Sequence, residues 1–419
     1  MKRIVVVIIL LLTLIGCSTY NSNSSTNYID NGNNKDVEEI VPELEHETHI
    51  TFTPVTATEW VANIRVGWNL GNTLDTYGNG AGFPWLGGGL YVNTTVAEME
   101  TAWGNPITTL ATITAVREAG FNAIRIPVTW NKVIDEHYNI REDWMARVVE
   151  VVNFAVANDM YIILNSHHDN RIFRLHDRYM EESKLAFEQI WTQIAYTFRY
   201  YNEKLIFEGL NEPRTIGTTG EWSGGTAEER NNLNILNQLF VDTVRATGGY
   251  NTQRVLVIPT YAASSAEVAQ RALVIPDDIV DGKIIVSLHI YAPWEFALRT
   301  GTEGVAYTWS RDSLSDTLPI TTPIDLAYEL FVSNGIPVII DEMGTINRGN
   351  LEARVEWAEF FVSHARSRGI PCFWWDSGIY TVSALQDWGS WDETFGLLNR
   401  QTNQFAHSEI VDALMRATE

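Results

Sequence analysis

The sequence predicts a closed (β/α)8 barrel, and three observations carry the prediction. Eight short apolar runs of strand character occur between Ile64 and Gly378. Amphipathic stretches with apolar residues at helical spacing lie between them, and strands that alternate with helices run parallel. The ends of the runs collect polar and aromatic residues that a core would reject, as the C-terminal rim of a barrel does when it carries a site. A doubly wound open sheet is the competing architecture. Its phosphate-binding turn is missing, because "GWNLGNTLD" at the first run has glycines and asparagines without GxGxxG spacing.

The runs follow in order. "IRVGWNL" (64–70) is the first, and "AIRIPVTW" (123–130) brings Arg125 and Trp130. "YIILNSHH" (161–168) delivers His167 and His168, followed by Asp169. "LIFEGLNE" (205–212) ends on Asn211 and Glu212, after which Pro213 stops the ladder and biases Glu212 toward an extended backbone. "VLVIPT" (255–260) is the fifth, and "IIVSLHIY" (284–291) presents His289 and Tyr291. "PVIIDEMG" (337–344) presents Asp341 and Glu342, and "PCFWWDSG" (371–378) presents Trp374, Trp375 and Asp376. Residues 144–159, 228–249 and 352–369 have helical apolar spacing.

Upstream of the barrel the composition changes twice. Residues 1–17, "MKRIVVVIILLLTLIGC", combine a short basic start, an apolar run too short to span a bilayer comfortably and a small residue before Cys17. This predicts an export signal. "LIGC" resembles the lipobox of bacterial lipoproteins, which implies that Cys17 is lipidated and becomes the new N-terminus. An ordinary signal peptide with an incidental cysteine is the alternative. Residues 18–50 hold too little apolar content to fold and read as an Asn/Ser-rich, then acidic, flexible tether, so the catalytic domain is expected over 51–419. With Cys17 lipidated, Cys372 alone remains, no intrachain disulfide can form, and its apolar surroundings make it core.

A formal charge of −23 speaks against nucleic acid and anionic lipid surfaces as partners, since both need a basic face. A neutral ligand is compatible with it. Fifteen Trp and sixteen Tyr exceed what a core needs and suit a cleft for such a ligand; Trp85, Trp222, Trp294 and Trp309 are candidates for its loops or for ordinary packing.

Two carboxylates at the ends of different strands, Glu212 and Glu342, are what glycoside hydrolysis requires: one protonates the leaving oxygen, and the other acts on the opposite side of the sugar ring. Arg125, His289 and Tyr291 can set their protonation states apart. The motifs "GWNLGNTLD", "AWGNP", "GFNAIRIPVTW", "YIILNSHHD", "LIFEGLNEPR", "VSLHIYAPW" and "CFWWDSG" resemble those of glycoside hydrolase family 5, and of its subfamily 4, from about residue 60 to 415. The resemblance implies a retaining mechanism with Glu212 as acid/base and Glu342 as nucleophile. It further implies that Arg125 and Tyr291 hydrogen-bond the nucleophile, that Asn211 holds the sugar 2-hydroxyl and that His289 adjusts the acid. His167 and, less definitely, His168 would line the same subsite, with Trp375 (or else Trp374) as the platform beneath the sugar.

The expected activity is therefore an endo-β-1,4-glucanase acting on plant polysaccharide or oligosaccharide without a cofactor, as a monomer tethered to the cell exterior or periplasm. Xyloglucanase, lichenase, xylanase and mannanase activities are alternatives, and a surface glycan-binding lipoprotein without turnover is another. No metal is expected: adjacent histidines on a strand do not share a face, and HExxH and Cys clusters are missing. One departure concerns "DEMG", where the resemblance implies Gly before the nucleophile. Strand alternation puts Asp341 outside the barrel and Glu342 inside. A retaining mechanism sets the two carboxyl groups about 5 to 5.5 Å apart, and general acid catalysis needs the Glu212 carboxyl raised toward neutrality.

Overall fold

The computed structural model describes residues 51–76, 94–301, 303–381 and 393–419. The export signal, Cys17 and the tether fall outside these residues, as does Trp85. Eight parallel strands close into a barrel in chain order: β1 (Gly67–Leu70), β2 (Ala123–Ile126), β3 (Tyr161–Asn165), β4 (Leu205–Glu208), β5 (Leu256–Ser264), β6 (Ile284–His289), β7 (Val338–Met343) and β8 (Cys372–Asp376). Because β1 pairs with both β2 and β8, the sheet leaves no edge exposed. The predicted (β/α)8 architecture is the observed one. Helices surround it; Glu142–Ala157, for example, buries Trp144, Val148, Val151, Val152 and Ala155 along one stripe.

Alternation along the strands sorts the interior into layers. Near the strand starts, Ala123, Ile163, Ile206, Val257, Ile285, Ile339 and Phe373 pack with Trp60 and Ile64 into an apolar floor. Gly67 belongs to this layer for a steric reason: a Cβ there would lie 1.9 Å from the Phe373 ring. Two residues further along the same strands stand Asn69, Arg125, Glu208, Ser287 and Asp341, all fully buried. Apolar floor and polar layer thus come from one inward register.

Asp341 therefore points into the barrel, contrary to the alternation expected for "DEMG". Its parity is that of Ile339, which faces the floor. The register between β6 and β7 runs Leu288 to Ile340 and then His289 to Glu342, so β7 carries one extra residue at Asp341. A bulge of this kind interrupts the alternation and turns both consecutive carboxylates toward the site.

Several strands stop short of the apolar runs that predicted them, three of them by three or four residues. β2, β3 and β4 end at Ile126, Asn165 and Glu208, which leaves Trp130, His167, His168, Asn211 and Glu212 on the loops just beyond.

Candidate active site

A cleft of about 440 Å³ opens over the polar layer, with Trp103, His168, Glu212, Trp222, Glu342 and Trp375 among its walls. Arg125 joins layer and cleft. Its guanidinium grips Glu208 with Nε to Oε2 at 2.6 Å and Nη2 to Oε1 at 2.8 Å, the forked geometry that Arg offers a carboxylate. The remaining N–H groups donate to Asn69 Oδ1 (3.0 Å), Asn211 Oδ1 (2.6 Å) and Glu342 Oε1 (2.8 Å). One buried cation on β2 thereby fixes groups from β1, β4 and β7 and from the loop after β4.

Glu342 also accepts from the Tyr291 hydroxyl at 2.9 Å. Burial pushes its carboxyl above the usual range, against the charges of His289 and Arg125. Glu212 meets His289 Nδ1 at 2.9 Å and accepts from Arg214 Nη1 at 3.1 Å. Burial would raise its carboxyl too, but the His289 hydrogen bond and the Arg214 charge outweigh it and hold Glu212 at about 2. This corrects the expectation of a raised Glu212. The proton of the pair resides on His289: burial disfavours the imidazolium, yet the charge of Glu342, the bond to Glu212 and the charge of Asp341 lift it to about 9.

His289 Nδ1 lies 3.5 Å from Glu342 Oε2 as well, and one oxygen of each carboxylate and a ring nitrogen fall within 4.8 Å of one another. Carboxyl groups that must admit a water between them stand about 6.5 to 9.5 Å apart. The nearest oxygens of these two approach more closely than that.

Asn211 accepts from Arg125 through its oxygen, which leaves its NH2 as the group available at the cleft wall. His167 stacks on Trp375 with ring centroids 5.5 Å apart and an interplanar angle of 3°. Asn165 Oδ1 accepts from the Val128 amide, so its NH2 is the group 3.2 Å from His167 Nδ1. Nδ1 is then an acceptor, and the imidazole proton sits on Nε2, 4.0 Å from Glu342 Oε1. Burial first and neighbouring positive groups second hold His167 well below the usual histidine range and His168 at about 3. Both histidines line the cleft, edge to face at 4.4 Å. The strand rule used for them does not apply, because β3 has already ended.

Other rim residues are structural. Trp374 is buried against Trp357 while Trp375 faces the cleft. Asp169 caps the amides of Trp130 and Asn131, and Asp376 accepts from Trp68 Nε1 and three backbone amides. Of the loop tryptophans, Trp222 is 60% exposed at the cleft under the Arg214 guanidinium, Trp294 carries Arg299 over its ring, and Trp309 is core. Asp75, His167 and His168 come within 4.8 Å of one another, but both Asp75 oxygens already accept amides of Asn72 and Thr73, so they make no convincing cation cage.

Sequence reasoning missed Glu208, Ser287, Arg214 and Glu393. A charge inside the apolar run "LIFEG" was a readable signal for Glu208. Glu393 had none: it reaches the cleft from beyond β8, where burial and the charges of Asp75, Glu342 and Glu212 push it to about 7.

A (β/α)8 barrel with two adjacent carboxylates, one bound by Arg and Tyr and the other by His, defines the class of glycoside hydrolases. The family model for cellulases (glycosyl hydrolase family 5) matches residues 87–381, and the chain belongs to that family. It is 41% identical over 362 residues to endoglucanase A of Clostridium longisporum, covering 86% of this chain and 65% of that protein. A cellulase/esterase of Acetivibrio thermocellus is 42% identical over 364 residues, 86% of this chain and 40% of its own. The chain thus spans less than two thirds of the length of either relative. Among solved structures, a broad-specificity endoglucanase of subfamily 4 from Ruminococcus champanellensis with bound cellotriose superposes with a TM-score of 0.79 at 41% identity, covering 87% of this chain and 99% of that one.

Proposed function

We propose that this chain is a retaining endo-β-1,4-glucanase, with Glu342 as nucleophile and Glu212 as acid/base. The observation that carries the reading is the short separation of the two carboxylates, within 4.8 Å and linked by His289. Glu342 attacks the anomeric carbon as the glycosidic C–O bond breaks, and the proton held by Glu212 and His289 passes to the departing oxygen. Water then attacks the anomeric carbon from the side the leaving sugar has vacated, the bond to Glu342 breaks and frees its carboxylate, and the water's proton returns to the Glu212 pair. Arg125 and Tyr291 hold Glu342 in line, Asn211 meets the 2-hydroxyl, and Trp375 carries the ring with His167 stacked against it and His168 alongside. Burial of the imidazolium–carboxylate pair lets substrate desolvation move the proton from nitrogen to oxygen.

The broad specificity named for the Ruminococcus champanellensis structure favours a second reading, in which the cleft also accepts xyloglucan, lichenan, xylan or mannan. Product analysis on a panel of these polysaccharides separates the readings. Glu342→Ala is expected to lose turnover by about 10⁵-fold. Azide should restore part of it with inverted product. Saturable glycan binding by the wild-type chain without any hydrolysis would instead support the non-catalytic lipoprotein.

Lipidation at Cys17 is proposed on "LIGC" and the polar segment behind it. Among the described residues no helix is long and apolar enough to cross a membrane. Cys17→Ser should release the protein from membranes on fractionation; unchanged membrane association would refute lipidation.

A further inference from the structure

Asp341 is not used by the mechanism above, although it is fully buried beneath the reacting pair. Its Oδ1 accepts the Ser287 hydroxyl at 2.6 Å and lies 3.5 Å from His289 Nε2. Its Oδ2 is 3.6 Å from Arg125 Nε, and among the described residues neither Oδ2 nor His289 Nε2 has a hydrogen-bond partner. The imidazole thus has Glu212 at one nitrogen and Asp341 facing the other.

We propose that Asp341 is a positioning residue for the acid/base: it faces the far N–H of His289 and holds the imidazole in line with Glu212, so that the pair keeps the proton meant for the leaving sugar. The inference rests on the assignment of Glu212 as acid/base. The bulge at Asp341 gives the carboxylate its place, because it allows Asp341 and Glu342 to face the same imidazole from one strand. Ser287, on β6 two residues before His289, fixes the carboxylate's rotation.

The charges around His289 support this role. Glu212 faces it from the loop after β4, Asp341 and Glu342 from β7, Glu208 from β4, His167 from the loop after β3 and Arg125 from β2. Arg125 is committed to Glu208 and Glu342 and stands further from Asp341, which leaves Asp341 as the carboxylate behind the ring. Burial, then the charge of Glu208, pushes the Asp341 carboxyl up to about 7. Above that pH it is ionised, and this is the range in which His289, at about 9, would otherwise give up its proton.

The test is the pH profile of kcat/KM for Asp341→Asn together with an NMR titration of the His289 imidazole. An opposing charge at this distance shifts a neighbour's titration by about one pH unit or more. The alkaline limb and the imidazole titration should both move down by that amount, while the acid limb stays in place. Ser287→Ala, a milder change, should move both in the same direction by less and serves if the first variant does not fold. An unmoved imidazole titration, with only thermal stability altered, would overturn the proposal. A shifted imidazole with an unshifted profile would locate the failure in the assignment of Glu212 as the acid.

Discussion

The barrel interior divides into two regions built by the same strands and governed by different physics. In the floor, Ile163, Ile206, Ile339 and Phe373 fill volume, and Gly67 yields its side chain so that the Phe373 ring can lie against its backbone. Two residues along, Arg125, Glu208 and Asp341 fill the same cylinder with charge. The floor is stabilised by dispersion and removal of apolar surface from water, and it tolerates change in proportion to volume. The polar layer holds desolvated charges that are stable only as a set, since removing one strands the others. A barrel can therefore concentrate an uncompensated field at its rim only because the layer below is inert and close-packed.

The comparison can be broken most severely at Arg125. Arg125→Leu is expected to lower kcat by about 10² to 10³-fold. It should also lower unfolding free energy by roughly 3 to 5 kcal/mol, because Glu208, Asp341 and Glu342 would share one buried space without their cation. Steady-state kinetics beside urea unfolding measures both; a loss in only one of them would mean that the layer is not a single electrostatic unit.

A smaller effect is expected in the floor. Gly67→Ala drives a methyl into the Phe373 ring and should destabilise the fold by about 1 to 3 kcal/mol. The folded fraction should keep its kcat. A proportionate fall in kcat would show that the floor positions the rim more tightly than its apolar character suggests.

The two regions should also differ in pH dependence. His289 binds its proton more tightly folded than unfolded, so its contribution to stability is complete below about 6.5 and lost as pH rises through about 9. Asp341, raised from 3.8 to about 7, acts with the same sign in the lower window. Urea midpoints are expected to fall between pH 6.5 and 9 in the wild type. A flat midpoint across that window would deny the raised imidazole.

The smallest expected change is Ile206→Val, about 0.5 to 1.5 kcal/mol, with unaltered kinetics. Tyr161 packs against this cluster, but burial pushes its hydroxyl above the usual tyrosine range, so the decrement should be the same at pH 6 and pH 9. Parallel stability curves for the two proteins would sharpen the contrast; converging curves would mean that the layers are coupled.

The sequence by itself determined the barrel, its strand order and the rim positions of Arg125, Asn211, Glu212, His289, Tyr291 and Trp375. Period, strand length and chain order are local properties, and a reader can count them. Glu208 was legible in principle as a charge inside an apolar run. Tertiary structure alone decided that Asp341 turns inward with Glu342, because the bulge exists only in the pairing of β7 with its neighbours. It alone decided that the proton of the Glu212 pair rests on His289, and it alone brought Glu393 to the cleft. The field at a buried group sums charges by distance in space, and the Arg125–Glu342 bond joins residues 217 positions apart in the chain. No periodicity of the sequence carries that sum.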